Sequence, residues 1–135
     1  MTTNAKAEFR ITSWDEQPYA EFAGTEKMTR TVTAQDYTGD LAGHSRGDSL
    51  MYYGPGPDPV RYVGLERFTV TVGGRSGTFV AQSHGTYADG VAETTWFVVP
   101  GSGTGELAGL RGEGGYRAGH GESAVQVTFE YDFGG

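Results

Sequence analysis

VRYVGLERFTVTVGGRSGTFVAQSHGTY, Val60 to Tyr87, reads as two strands and the turn between them. In its first half Val60, Tyr62, Gly64, Glu66, Phe68, Val70 and Val72 alternate with Arg61, Val63, Leu65, Arg67, Thr69 and Thr71. Successive side chains of a strand point to opposite faces, so the first set shares one face. That face is the more apolar and is expected to point inward. Gly73-Gly74 reads as a two-residue hairpin turn, whose central positions need positive φ. The second half puts Phe79, Ala81, Ser83, Gly85 and Tyr87 on one face, with Val80, Gln82, His84 and Thr86 on the other. Glu66 is the exception on the inward face, a carboxylate among hydrophobes.

The same period extends outward from this hairpin. Asp89-Gly90 is a second type I′ signal, followed by Ala92, Thr94, Trp96 and Val98 on one side of a sixth strand. Gly101 to Gly115, after Val99 and Pro100, then turns Gly-rich, with Leu107 and Leu110 its only large apolar side chains. Glycine is costly inside a helix, so this run predicts a tight corner and a short 3₁₀-like plug carrying the two leucines into a barrel end. A short strand is expected near Glu113 to Gly119. The last strand alternates Val125, Val127, Phe129, Tyr131 and Phe133 with polar residues. Towards the N-terminus, Ala7, Phe9 and Ile11 predict a first strand, and Trp14 to Pro18 a loop. Met28 to Tyr37 and Leu41 to Tyr53 complete the set, with a turn from Tyr37 to Asp40 and a Pro-rich loop from Gly54 to Pro59. Eight strands joined largely by tight turns, with no long helix, predict an all-β fold. The architecture expected is an eight-stranded antiparallel up-and-down barrel, formed as a single domain over residues 1–135.

Composition narrows the function classes. The 135 residues include 23 glycines without a three-residue period, which fits many turns and excludes collagen. Eight Tyr, seven Phe and two Trp compensate for an apolar content of 36 % by supplying large buried area. The net charge is −7 and no Lys/Arg cluster occurs, so neither nucleic acid nor membrane is an expected partner. The absence of cysteine excludes disulfides, thiol catalysis and Cys-ligated metal. The N-terminal residues do not read as a signal peptide, and the expected location is cytoplasmic. Gly103-Thr104-Gly105 loosely resembles a dinucleotide-binding turn. The helix that such a turn needs would have to run through Gly109, Gly112, Gly114 and Gly115.

Three blocks carry a family resemblance: YVGLERF (Tyr62–Phe68), GGRSGTFV (Gly73–Val80) and VPGSGTGELAGLRGEG (Val99–Gly114). From about Gly39 to Phe133 the chain resembles a bacterial family of small uncharacterised proteins with the allene oxide cyclase-type barrel. The Gly-Thr-Gly corner is also similar to that of dirigent proteins and allene oxide cyclases. The resemblance implies a cofactor-free barrel acting on or holding a small apolar molecule. Members of the family commonly carry a His directly after the Gln of the fifth strand. Here Ser83 follows Gln82, and His84 lies one place later on the opposite face, so no role passes to that histidine.

Glu66 is the sharpest candidate for chemistry. Among apolar side chains its pKa should rise, which suits a general acid or base. The alternative is a structural carboxylate bonded to an inward Arg, Tyr or Thr. His44, Arg46 and Asp48 alternate on one face of the third strand and read either as a polar mouth or as a solvated outer face. His84 and His120 read as surface residues. Three scattered histidines lack metal-ligand spacing, so no metal is expected. Tyr62, Phe68, Phe79, Ser83, Trp96, Phe129 and Tyr131 lie on the inferred inner faces and are the expected lining of a ligand cavity. So many rings would suit a flat or polyunsaturated molecule. The sequence therefore leads to two functions. One is a cofactor-free cyclase or isomerase acting on a small apolar molecule, in chemistry of the secondary-metabolism kind, with Glu66 catalytic. The other is a non-catalytic, dirigent-like binding barrel. A homo-oligomer is left open.

Overall fold

The computed structural model describes residues 2–119 and 121–134. Its elements are β1 (Thr3–Glu21), β2 (Lys27–Gly39), β3 (Leu41–Tyr53), β4 (Val60–Val72), β5 (Arg75–Ala88), β6 (Val91–Val98), a 3₁₀ turn (Gly105–Leu107), β7 (Leu110–Gly119) and β8 (Val125–Phe133). Each strand pairs antiparallel with its chain neighbours and β8 returns to β1, closing the barrel. Gly73-Gly74 has φ of 56° and 83°, and Asp89-Gly90 has 53° and 78°, the positive values that the hairpin reading requires. No helix among the described residues is long and apolar enough to cross a membrane. His120, expected at the surface, lies outside the described residues.

One local expectation is corrected. Trp14 to Pro18 is not a loop but the middle of β1, paired with Thr33 to Thr29 of β2. Bulges between Ile11 and Ser13 and between Pro18 and Ala20 shift the register, so the alternation breaks while pairing continues. Only Thr3 to Phe9 of β1 pairs with β8, so the rest of the strand rises beyond the shorter β6–β8 side.

The barrel is solid at one end and hollow at the other. Phe68, Phe79 and Phe129 are fully buried, and with Trp96 and Tyr131 they form a continuous stack. Phe68 and Phe79 lie parallel with centroids 4.5 Å apart, and Trp96 and Phe129 are 5.0 Å apart. Strand glycines seat these rings. A Cβ at Gly114 would lie 2.5 Å from Trp96 Cζ2, and one at Gly112 would lie 3.0 Å from Phe129 Cε1. Rings in such contact contribute about 0.5–1.5 kcal/mol per pair beyond their buried area.

The Gly-rich corner closes this solid end. β6 pairs only with Ala81 to Ala88 of β5, which leaves the first half of β5 without a neighbour on that side. The corner takes that place: Val99 N donates to Val80 O (2.8 Å), and Thr104 N donates to Thr78 O (2.8 Å). The 3₁₀ turn then drives Leu107 into the barrel end, followed by Leu110 at the start of β7, at 0 % and 2 % exposure. Glu106 and Arg111 remain exposed, as expected of an inserted plug.

Candidate functional site

In the half of the barrel away from the plug, the inward residues change character. β2 contributes Thr29, Thr31, Thr33 and Gln35, while β3 contributes Ser45, Gly47, Ser49 and Met51. Smaller and polar side chains leave space there, a cavity of about 490 Å³. Its wall includes Phe9, Trp14, Tyr53, Tyr62, Tyr87 and Tyr116. Trp14, Tyr19, Phe22 and Tyr87 are exposed around the open end. A broader depression of about 1110 Å³ crosses the outer faces near Leu50, Val63 and His84, but it holds no buried carboxylate.

Glu66 reaches this cavity from the centre of β4, opposite Gly47 of β3 and Ala81 of β5. Its side chain is half-buried, and the surface it keeps faces the cavity. Tyr37 Oη donates to Glu66 Oε2 at 2.7 Å and Ser45 Oγ donates to the same oxygen at 2.6 Å. Neither bond reaches Oε1. Ser45 Oγ also lies 3.0 Å from Gln35 Oε1, extending the polar chain to four residues. No Lys or Arg forms an ion pair with Glu66 among the described residues. Desolvation pushes its carboxyl above the ordinary range, against the pull of the Ser45 and Tyr37 hydrogen bonds. Burial, then the neighbouring Glu66, pushes the Tyr37 phenol well above its usual value.

Tyr37 joins the two halves of the barrel. Its ring packs 5.1 Å from Phe68 and 5.4 Å from Phe9, while its hydroxyl holds the carboxylate. A stacked core thus fixes the position of a polar group, which limits the freedom lost when a ligand binds.

A second carboxylate stands nearer the mouth. Glu16 Oε2 accepts from Thr29 Oγ1 at 2.7 Å and from Tyr53 Oη at 2.5 Å. Burial and the Glu16 hydrogen bond push Tyr53 up to about 12. The Lys27 ammonium lies over the Tyr53 ring, 4.8 Å from its centroid.

Residues 5–131 match a family described as protein of unknown function (DUF3224). The chain belongs to the DUF3224 family. A crystal structure of a DUF3224 protein with unknown function from Shewanella oneidensis MR-1 is similar over the whole of both chains, with a TM-score of 0.80 and 25 % identity. No curated protein matches.

In this DUF3224 barrel Tyr62, Glu66 and Ser83 share the cavity wall. Phe68, Phe79, Trp96, Phe129 and Tyr131 do not line it. Their rings pack on one another nearer the plug, because neighbouring strands supply glycines that let them interlock. Gly64, the inward residue before Glu66, leaves no space of its own: a Cβ there would lie 2.5 Å from Ser49 Oγ. Tyr62 instead lies against Gly85, where a Cβ would come within 2.6 Å of the ring, and its hydroxyl is 2.6 Å from Thr94 Oγ1.

Of the two readings of the third strand, the structure shows the solvated outer face and not the polar mouth. His44 and Arg46 are exposed on the outer face, and Asp48 beside them accepts from Arg30 at 2.6 Å. That guanidinium, with Arg46 as a smaller contributor, holds the Asp48 carboxyl below its ordinary range. His84 is also exposed, with Nε2 3.0 Å from Thr95 Oγ1. Among the described residues no group of His, Cys, Asp and Glu could hold a metal.

Tyr37, Ser45, Gln35 and Tyr116 escaped the sequence reading. The available signal was the alternation Thr29, Thr31, Thr33, Gln35, Tyr37 on β2. It becomes an inward face once β3 is registered with Gly47 opposite Thr33.

Proposed function

We propose that this DUF3224 protein is a cofactor-free isomerase or cyclase acting on a small, largely apolar molecule held in the open half of the barrel. Glu66 is the proton-transfer group. The observation that carries the reading is a carboxylate on the wall of a cavity rich in aromatic rings, with no cationic partner among the described residues. Desolvation raises the proton affinity of such a group towards neutrality, where it can both take and return a proton. Tyr37 and Ser45, both bonded to Oε2, would hold it while Oε1 meets the substrate. The wall rings would fold a flexible substrate against that oxygen, lowering the entropic part of the barrier. The likeness of the Gly-Thr-Gly corner to that of allene oxide cyclases supports the same class.

The two hydrogen bonds on Glu66 also favour a second reading, a non-catalytic binding barrel in which this network is structural. One experiment separates the two. Small apolar compounds that raise the melting temperature are incubated with the protein in D₂O, and mass spectrometry follows isomer formation and deuterium uptake. The catalytic reading expects solvent deuterium in the product. It also expects Glu66→Gln to slow conversion by about 10²-fold or more with affinity within a few-fold. Bound ligands that never exchange or isomerise would leave the binding barrel as the function.

A further inference from the structure

The charges around the cavity are of one sign. Among the described residues that line it, Glu66 and Glu122 are acidic and none is Lys, Arg or His. Glu16 adds a third carboxylate nearby, bonded to Tyr53 of the wall. Lys27, whose ammonium lies over the Tyr53 ring of the wall, already has an aromatic partner. The net charge of −7 gives the whole molecule the same bias.

An anionic ligand would bring a second negative charge towards Glu66 with nothing to balance it. Beside the low-dielectric wall of the cavity that repulsion is stronger than in bulk water. A ligand carrying a positive charge would supply what the carboxylate lacks. It would also meet the negative faces of the surrounding rings, of which Phe9 and Tyr116 stand 4.9 Å apart edge to face. Oε1, outside the bonds from Tyr37 and Ser45, is the acceptor left for it.

We infer that the cavity takes a small protonated amine with an apolar body. Its ammonium would donate to Glu66 Oε1 and its body would pack against Phe9, Trp14, Tyr62 and Tyr116. The inference rests on the reading of this cavity as a small-molecule site and adds the charge of its ligand. Pairing also has a proton balance. Where Glu66 is protonated in the free protein, an ammonium ligand displaces that proton to the buffer, and no covalent bond changes. Burial raises the pKa of the neighbouring tyrosines Tyr37, Tyr62 and Tyr116, so they stay neutral, and the Glu66→Gln variant tells an exchange at Glu66 from one at Glu16 or Glu122.

The test is calorimetric titration of the full chain with three matched probes: 4-phenylbutylamine, 4-phenylbutanol and 4-phenylbutanoate. The amine should bind at least about tenfold more tightly than the alcohol, and the acid more weakly than both. At a pH where Glu66 is protonated in the free protein, titrations in two buffers of different ionisation enthalpy should reveal proton release with the amine alone. Glu66→Gln should bring the amine to the affinity of the alcohol and leave the alcohol within a few-fold. The three-probe comparison on the unaltered protein needs no variant, so it decides the matter even if Glu66→Gln fails to fold. Alcohol binding as tight as amine binding, or amine binding unmoved by Glu66→Gln, overturns the amine assignment and leaves the cavity as an apolar site. Binding by none of the three overturns the small-molecule reading as well.

Discussion

Gly114→Ala tests whether strand glycines are seats for the core rings. Gly114 does not have the positive φ that disfavours a side chain, so its conformation would admit alanine and any cost is steric. The new Cβ would stand 2.5 Å from Trp96 Cζ2, 2.7 Å from Trp96 Cε2 and 2.7 Å from the Thr128 carbonyl oxygen. The indole cannot simply retreat, because Phe129 lies 5.0 Å away and Phe68 5.6 Å away, centroid to centroid. Overpacking of this kind costs about 1–3 kcal/mol. Removing a glycine from a strand offsets roughly 0.5–1 kcal/mol of it. The difference spans about 0–2.5 kcal/mol, and because one of the clashing atoms is a backbone oxygen the net loss is expected in its upper part, about 1–2.5 kcal/mol, which for a domain of this size lowers the melting temperature by roughly 3–12 °C. Far-UV circular dichroism melts and urea titrations measure it, with Gly56→Ala as control because no atom lies within 4 Å of a Cβ there. Trp96→Phe should relieve the part of the clash that the indole makes, leaving the contact with the Thr128 carbonyl, so the double variant should be more stable than the sum of the two single losses by about 0.5–1 kcal/mol. A Gly114→Ala protein as stable as the parent, or strict additivity with Trp96→Phe, would refute the seating argument.

Leu110→Ala should cost roughly 2–4 kcal/mol, since it truncates a buried plug residue, and an unchanged melting temperature would show that the plug is not part of the core. Stability should also depend on pH through Glu66. Its folded pKa is raised, so its favourable contribution is complete below the ordinary carboxylate pKa and is lost as pH rises through the folded value. Glu66→Gln should therefore gain stability relative to the parent on the alkaline side of that window and lose the advantage in acid, measured as paired urea titrations across pH.

The elements most legible in the sequence are those with one face inside the barrel along their whole length. β4 and β8 have the bounds that alternation predicts, Val60–Val72 and Val125–Phe133, and their apolar faces point inward. The second half of β1 was not legible because its side chains are mostly exposed and two bulges interrupt the period. Burial gives a strand its alternation, so where burial ends the pattern ends, even though backbone pairing continues. Glu66 was legible as a lone ionisable group on an inward face. Its partners were not, since Tyr37 and Ser45 belong to strands whose inward residues are themselves polar. The five core rings were assigned to a cavity because alternation tells inside from outside and says nothing of height along the barrel axis.

That missing coordinate is what creates the site. Along the axis, inward rings interlock over Gly112 and Gly114 at one level, and inward Thr, Ser and Gly occupy the next. The same closed ladder therefore encloses a dense core and a void without a change of topology. Glu66 and Phe68 are successive inward residues of β4, and the boundary falls between them: Phe68 is fully buried in the stack, and Glu66 opens on the cavity. Burial among rings on one side raises the proton affinity of the carboxyl, while the void on the other gives a ligand access to it. Tyr37 spans the boundary with its ring in the stack and its hydroxyl on Oε2. The carboxylate is consequently positioned by the part of the barrel that cannot rearrange and faces the part that can accommodate a guest.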